Sequence, residues 1–282
     1  MNFEEIIQTA DAQAAALTGS DSADYVKDGL LHCGKCHTPK QCYVDFRELF
    51  GEIRKQYCLC KCAKERRDRE EQLQKERELL AQVQKYRAAA FPESDMAKWN
   101  FAADDGTNEK MTRAMKNYVE HFAQFREQGK GLLLFGPVGT GKTFLAACAA
   151  NALIDRGTPC MVTNFARIAN TVQGLFDGRQ AYYDSFNRFP LLVLDDLKAE
   201  RQTEYMQEIV FNVIDARYRA KLPLIITTNL TREELMHPQD VTDQRIFSRL
   251  FEMCTPIEVT GADRRHKALK ENIAATKQLL GL

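Results

Sequence analysis

Gly136-Pro137-Val138-Gly139-Thr140-Gly141-Lys142-Thr143 has the spacing of a polyphosphate cradle. Glycines at the first, fourth and sixth positions let the backbone curl until its N–H groups converge on phosphate oxygens. A helix starting at Lys142 would add its positive end. Lys142 is then placed to reach β- and γ-phosphates, and Thr143 to hold Mg²⁺. The expected ligand of Gly136, Pro137, Val138, Gly139, Thr140, Gly141, Lys142 and Thr143 is ATP with Mg²⁺. Two further constellations fit the same chemistry. Leu191-Leu192-Val193-Leu194-Asp195-Asp196 is an apolar run ending in two carboxylates. Asp195 suits a hard cation and its water shell, and Asp196 suits orientation of an attacking water. Leu224-Ile225-Ile226-Thr227-Thr228-Asn229 is a third apolar run with a polar tip. The Asn229 amide there can hydrogen-bond a γ-phosphate or the water.

The cysteines form a separate chemistry. Of nine, six lie between Cys33 and Cys62, while Cys148, Cys160 and Cys254 sit among apolar neighbours and read as core. Cys33-Gly34-Lys35-Cys36 is a knuckle, and Cys58-Leu59-Cys60-Lys61-Cys62 offers three thiols for a second pair. Four thiolates suit a closed tetrahedral Zn²⁺ site of structural type. Spacing alone leaves the second pair open, and His32, His37 and Cys42 stand in reserve. A redox role for the knuckle would call for a thioredoxin-like βα pattern, which is absent.

These groups need elements to position them. Met1 to Leu17 reads as a helix and Thr18 to Asp24 as a linker. A zinc module spans 31–64, and a helix dense in both charge signs spans 64–90. Phe91-Pro92 ends it. The resulting division is an amino-terminal region over 1–90, a linker over 91–110 and a nucleotide domain over 111–282. Met111, Met115, Tyr118, Phe122 and Phe125 recur at helical spacing. Strands are then expected at Leu132–Phe135, Cys160–Thr163, Leu191–Leu194, Leu224–Thr228 and Ile257–Val259, with helices between. Such alternation gives an α/β fold with a parallel sheet flanked by helices, and ligands gather at the carboxyl ends of its strands.

The glycine-rich loop, the LLVLDDL run, Ala216-Arg217-Tyr218, Ile226-Thr227-Thr228-Asn229-Leu230, Arg245-Ile246-Phe247-Ser248-Arg249-Leu250 and Gly261-Ala262-Asp263-Arg264-Arg265 follow one another in an order that resembles AAA+ P-loop ATPases. The resemblance is to the DnaC/IstB-like group of bacterial helicase loaders and covers roughly Met111 to Leu282. It implies that Asn229 is sensor 1 and Arg265 sensor 2. It also implies that Arg249, with Arg245 as the alternative, is a finger inserted into a neighbouring subunit's ATP site. An ATP-dependent oligomer follows, with a DnaB-like replicative helicase and single-stranded DNA as partners in DNA replication. Resemblance to the zinc module of several loaders selects Cys60 and Cys62 to join Cys33 and Cys36. One residue departs from the pattern: Lys198 stands where the family usually has glycine after D-D-L, and it is expected to add charge beside the ATP site. Arg179, Tyr182 and Tyr183 offer a cation beside aromatic faces for DNA. An IstB-like transposition helper shares nearly every one of these motifs, and an adaptor that binds nucleotide without productive hydrolysis is the reading from another class.

Composition narrows the setting. The 282 residues carry a formal net charge of zero, so no global field draws the chain onto nucleic acid or membrane. No apolar run nears the roughly 20 residues that span a bilayer. Met1 to Ala16 lacks a basic segment followed by an apolar core. A cytoplasmic protein with thiols or metal rather than disulfides is expected.

Overall fold

The computed structural model describes residues 3–92, 95–198, 203–264, 273 and 276–280. The chain forms two compact units, Met1–Leu80 and Ala81–Leu282.

The first unit opens with α1 (Phe3–Thr18). Two antiparallel pairs follow: β1 (Tyr25–Lys27) with β2 (Leu30–His32), and β3 (Gln41–Phe46) with β4 (Glu52–Tyr57). The short helix α2 (Arg47–Phe50) and Gly51, at φ 78°, turn the chain between β3 and β4. Sequence reading expected helix and zinc module here but no strands. The alternation in β3 and β4 is carried by half-buried Cys, Val, Arg and Gln, which gives little hydrophobic period. Helix α3 (Lys61–Ala90) begins in this unit and ends in the next. Its charged side chains keep most of it exposed, whereas Val83, Ala90 and the following Phe91 are buried in the second unit's core. The units thus divide at Leu80/Ala81, inside α3, rather than at residue 90.

The expected linker is packed. Trp99 and Phe101, around the short 3-10 turns Asp95–Lys98 and Phe101–Ala103, lie against the core of the second unit. The apolar helix read from Met111 to Phe125 is two helices, α4 (Glu109–Glu120) and α5 (Phe122–Glu127), joined at His121. Met111, Met115, Tyr118 and Phe122 still share one buried face.

From there strands and helices alternate: β5 (Gly131–Phe135), α6 (Lys142–Asp155), β6 (Cys160–Asn164), α7 (Phe165–Gln173), α8 (Arg179–Ser185), β7 (Leu191–Leu197), α9 (Glu204–Ala220), β8 (Leu224–Thr228), α10 (Arg232–Met236), α11 (Val241–Met253) and β9 (Cys254–Glu258). The five strands form one parallel sheet in the order β6-β7-β8-β5-β9. Strands buried on both faces need apolar residues at every position, which is why β5, β7 and β8 read as continuous runs. Alternate residues serve two cores. Leu133, Leu192, Leu194 and Ile226 join the one built with α7, α9 and α11, and Leu132, Leu134, Val193 and Ile225 join the one built with α4 and α6. This order puts β8 and β9 on either side of the loop strand β5, and β7 beside β8.

Arg217 on α9 braces the far end of this sheet. Its side chain is 0% exposed. Nη1 donates to the carbonyls of Phe186 at 3.3 Å and Phe189 at 2.9 Å, and Nη2 donates to those of Pro190 at 3.2 Å and Pro223. Pro190 and Pro223 immediately precede β7 and β8, so one guanidinium ties together the entries of both strands. Burial lowers its pKa to about 10, which leaves it charged at neutral pH. Arg217→Ala removes the donor and strands buried carbonyls. Thermal or denaturant unfolding is expected to show a loss of about 3 kcal/mol or more, whereas Arg219→Ala on the exposed face should stay within about 0.5 kcal/mol.

Candidate functional site

The loop between β5 and α6 adopts the backbone its glycines permit. Gly136, Gly139 and Gly141 have φ of 131°, 79° and 92°. At Gly136 an added Cβ would meet the Val259 carbonyl oxygen at 2.7 Å, and at Gly139 it would collide with the Asp263 carboxylate. Lys142, only 5% exposed, is the first residue of α6. Its Nζ donates to the carbonyls of Gly136 at 2.8 Å and Pro137 at 2.7 Å, so the ammonium is held over the loop. Thr140 Oγ1 donates to the Pro137 carbonyl at 3.0 Å.

The two carboxylates stand near the carboxyl end of β7, which is separated from the loop strand β5 by β8. The β7–β8 register slips between Leu194 and Leu197, and within that irregularity Asp196 takes φ 56°. A bulge of this kind re-aims side chains at a strand end. Thr227 of β8 links the pair: its Oγ1 donates to Asp195 Oδ1 at 2.6 Å and accepts the Asp196 N–H at 2.9 Å. Burial pushes the Asp195 pKa up, opposed by hydrogen bonds from Thr227 and Thr143 and by the Lys142 charge, with Asp196 adding to the rise. Thr143 and Asp195, the two groups read as Mg²⁺ partners, therefore lie near one another. Oxygen donors of this type fit a hard cation.

Asp196, Asn229, Lys142, Thr143 and Gly141 line one cleft of about 240 Å³. Val138, expected to bind nucleotide, lines it too, as do Trp99, Phe144 and Arg264, which sequence reading did not assign to the site. Arg264 is paired with Asp104 at 3.0 Å and Asp105 at 3.4 Å, and its guanidinium lies 5.6 Å from the centre of the Phe144 ring. The neighbouring Arg265, named by resemblance, lies outside the described residues. Arg249 does not line the cleft. It sits on α11 with Nη2 2.9 Å from Asp215 and its guanidinium 4.3 Å from the Phe211 ring. Arg245, one turn earlier, is exposed and without a partner among the described residues. Lys198 also turns away from the cleft: its ammonium pairs with Asp243 on α11 and lies 5.5 Å from the Phe247 ring. Of the aromatics proposed for DNA, Tyr183 is buried and offers no face to solvent, whereas Phe176, in the loop before α8, is fully exposed.

In the first unit the Sγ atoms of Cys33, Cys36, Cys60 and Cys62 all lie within 4.8 Å of one another. Cys33–Cys62 and Cys60–Cys62 are 3.5 and 3.4 Å apart. A tetrahedral Zn²⁺ with Zn–S bonds of about 2.3 Å separates its sulfurs by about 3.8 Å, so the four thiols fit the ion. Cys58 is outside the cluster, its thiol 3.7 Å from the Pro39 carbonyl, and burial together with Cys42 pushes its pKa up to about 11. His32 and His37 gather around the Tyr25 ring instead. The knuckle is locked locally: the His37 N–H donates to the Cys33 carbonyl at 2.9 Å, and the Gly34 N–H donates to Asp24 at 3.1 Å. Gly34 has no room for a Cβ, which would collide with Ala23. Lys40, 2% exposed, donates to Asp24 at 2.5 Å and to the Gly19 carbonyl at 3.1 Å, placing a buried cation beside the thiols.

Comparison with known proteins agrees with this geometry. The family profile described as IstB-like ATP binding protein matches residues 64–272. The replicative helicase loader DnaI of Bacillus subtilis (strain 168) is 28% identical over 169 residues, 55% of this chain and 52% of that protein. A putative insertion sequence ATP-binding protein of Sinorhizobium fredii (strain NBRC 101917 / NGR234) is 35% identical over 107 residues, 36% of this chain and 35% of that protein. The chain spans about half or less of the length of these relatives. A crystal structure of a putative primosome component from Streptococcus pyogenes serotype M3 shares the fold, with a TM-score of 0.52 at 22% identity, covering 65% of this chain and 98% of that one. No described helix is long and apolar enough to cross a membrane.

Metal analysis of the purified chain tests the thiol cluster. About one Zn²⁺ per chain is expected, since four thiolates close one shell. Cys33→Ser or Cys60→Ser should release it, and Cys58→Ser should retain it. Retention of zinc by Cys60→Ser with loss by Cys58→Ser would exchange the two ligands.

Proposed function

This chain belongs to the IstB-like ATP-binding protein family, and from that premise we propose that it is an ATP-hydrolysing helicase loader. It would assemble in the presence of ATP and deliver a DnaB-like replicative helicase onto single-stranded DNA. The observation that carries the reading is the cleft in which Lys142, Thr143, Asp196 and Asn229 meet, with Asp195 the residue before Asp196 on β7.

Each residue has a task in that cleft. The loop N–H groups and the start of α6 receive the phosphates. Lys142 exchanges two loop carbonyls for phosphate oxygens, a favourable trade for a buried ammonium. Thr143 and Asp195 would hold Mg²⁺, with the Thr227 hydroxyl fixing the carboxylate's orientation, and the ion would supply neutralisation of phosphate charge. Asp196 accepts a hydrogen bond from the attacking water, and Asn229 holds that water or the γ-phosphate. An arginine from a neighbouring subunit then neutralises charge that develops during transfer. Arg249, the assignment by resemblance, must leave Asp215 to do so. Arg245 needs no such release.

Two observations favour a loader over a transposition helper: the thiol cluster ahead of the ATPase, and similarity to a protein that is itself a replicative helicase loader. The first unit also exposes Phe3, Ile6, Val26, Tyr43, Leu49 and Ile53, an apolar allowance that suits a protein partner. Phe176, exposed three residues before Arg179 in sequence, suits a stacked base.

Lys142→Ala is expected to remove most ATP affinity in equilibrium binding. Asp196→Asn should keep binding and slow phosphate release by roughly 100-fold or more. Arg245→Ala and Arg249→Ala separate the two fingers. The variant that removes the trans group should bind ATP normally, hydrolyse it poorly, and regain activity when mixed with Lys142→Ala protein. An arginine finger contributes about 10³–10⁵ in rate, so the gain should be plain. Pull-down of the full chain with a DnaB-like helicase and with a transposase decides between loader and helper, and capture of the transposase alone would overturn the loader.

A further inference from the structure

Trp99 is the chain's one tryptophan, and it does not finish in the core. It is half-buried, packs against the α4–α6 core, and also lines the phosphate-loop cleft with Val138 and Phe144. Its ring centre lies 5.8 Å from that of Phe144, at 45° between planes. Phe144 itself is the residue after Thr143. An aromatic wall therefore adjoins the group that receives the phosphates.

The Trp99 backbone is held as a site residue is held. Asn151, 3% exposed on α6, donates through Nδ2 to the carbonyls of Met96 at 2.8 Å and Trp99 at 2.9 Å. On the next residue, Asn100 Oδ1 accepts the N–H groups of Ala102 and Ala103 at 3.0 and 3.1 Å. The helix that begins with Lys142 thus also anchors the Trp99 backbone, and it carries Phe144, against which the indole packs. Arg264 pairs through Nη1 with Asp104 and Asp105, while its Nε and Nη2 have no hydrogen-bond partner among the described residues. The wall thus offers a ligand two aromatic side chains with a guanidinium beside them.

We propose that Trp99 is the base-stacking residue of this cleft, which makes the site selective for a nucleoside triphosphate over a bare polyphosphate. The proposal rests on the nucleotide reading above and deepens it. A purine on an indole face gains offset stacking, while the triphosphate end is served by the loop. A Trp99 that served packing alone would affect both kinds of ligand equally, or neither.

The full chain in Mg²⁺ buffer is titrated by calorimetry with ATP and with tripolyphosphate, as wild type, Trp99→Ala, Trp99→Phe and Lys142→Ala. Trp99→Ala is expected to weaken ATP binding about 10-fold or more while tripolyphosphate changes by less than about twofold. Trp99→Phe, which keeps an aromatic face, should recover most of the ATP affinity, and Lys142→Ala should weaken both ligands. Emission of the wild type reports Trp99 alone, and should change with ATP far more than with tripolyphosphate. Unchanged ATP affinity in a folded Trp99→Ala, or equal loss of both ligands, overturns the stacking role while the nucleotide site stands. Failure of the wild type to bind either ligand overturns the nucleotide reading and the stacking role together.

Discussion

A buried ammonium must be surrounded by oxygen atoms, and most of the nucleotide domain can be read as the means of supplying them to Lys142. Two come from the loop's own carbonyls, at Gly136 and Pro137. Carbonyls turn inward there only because the loop backbone visits left-handed conformations at three glycines, at positions where a Cβ would strike Val259, Asp263 or Arg264. The loop in turn requires a strand that ends there and a helix that starts there. β5 is gripped by β8 on one side and β9 on the other, and the Val259 N–H extends the second grip by donating to the Phe135 carbonyl at 2.8 Å. A lysine that carries its charge into so enclosed a place also shifts its surroundings: it lowers the cost of ionising Asp195, which burial otherwise raises.

The acids are fixed from both ends of their strands. At the carboxyl ends, Thr227 bridges Asp195 and the backbone of Asp196, so neither carboxylate moves without disturbing β8. At the amino ends, Arg217 ties the carbonyls just before β7 and β8. A guanidinium suits that place because its planar set of donors can serve several carbonyls at once, and because it loses less to desolvation than a compact ammonium would. Stability at the far edge of the sheet and alignment of the two carboxylates are one property of the same two strands.

Much of this was legible in the residues. The loop, the two acids and the polar tip of β8 each follow a continuous apolar run, and a strand buried on both faces leaves no other pattern. The thiol cluster was legible because metal ligands come in pairs with short spacers, although choosing Cys60 over Cys58 needed more than spacing. Other features left no such trace. Trp99 lies in a stretch without periodicity, and its place beside the loop depends on Asn151, distant in sequence, donating to its carbonyl. Arg264 and Arg265 are indistinguishable by type, and only packing against Phe144 and Asp104 marks the first as a wall of the cleft. The strands β1 to β4 are short and exposed or only half-buried, so they carry little hydrophobic alternation. Tyr183 reads as an exposed aromatic beside a cation, but α8 turns it into the core.

Lys198 shows how a departure from a family pattern can be accommodated rather than tolerated. Its φ of 67° is the conformation that glycine adopts without strain, which explains the glycine usual at this position. A lysine there carries a cost of about 1–2 kcal/mol. The side chain meets an offsetting partner: its ammonium pairs with Asp243, whose side chain is 8% exposed, and rests against Phe247. Returning glycine to this position would relieve the backbone and leave the Asp243 carboxylate buried without its cation, the more expensive of the two outcomes. The charge that the sequence places beside the ATP site is therefore consumed by α11. The turn after Asp196 is joined in this way to α11, the helix that carries Arg245 and Arg249, so the residue that breaks the pattern is also the one that ties the end of β7 to that helix.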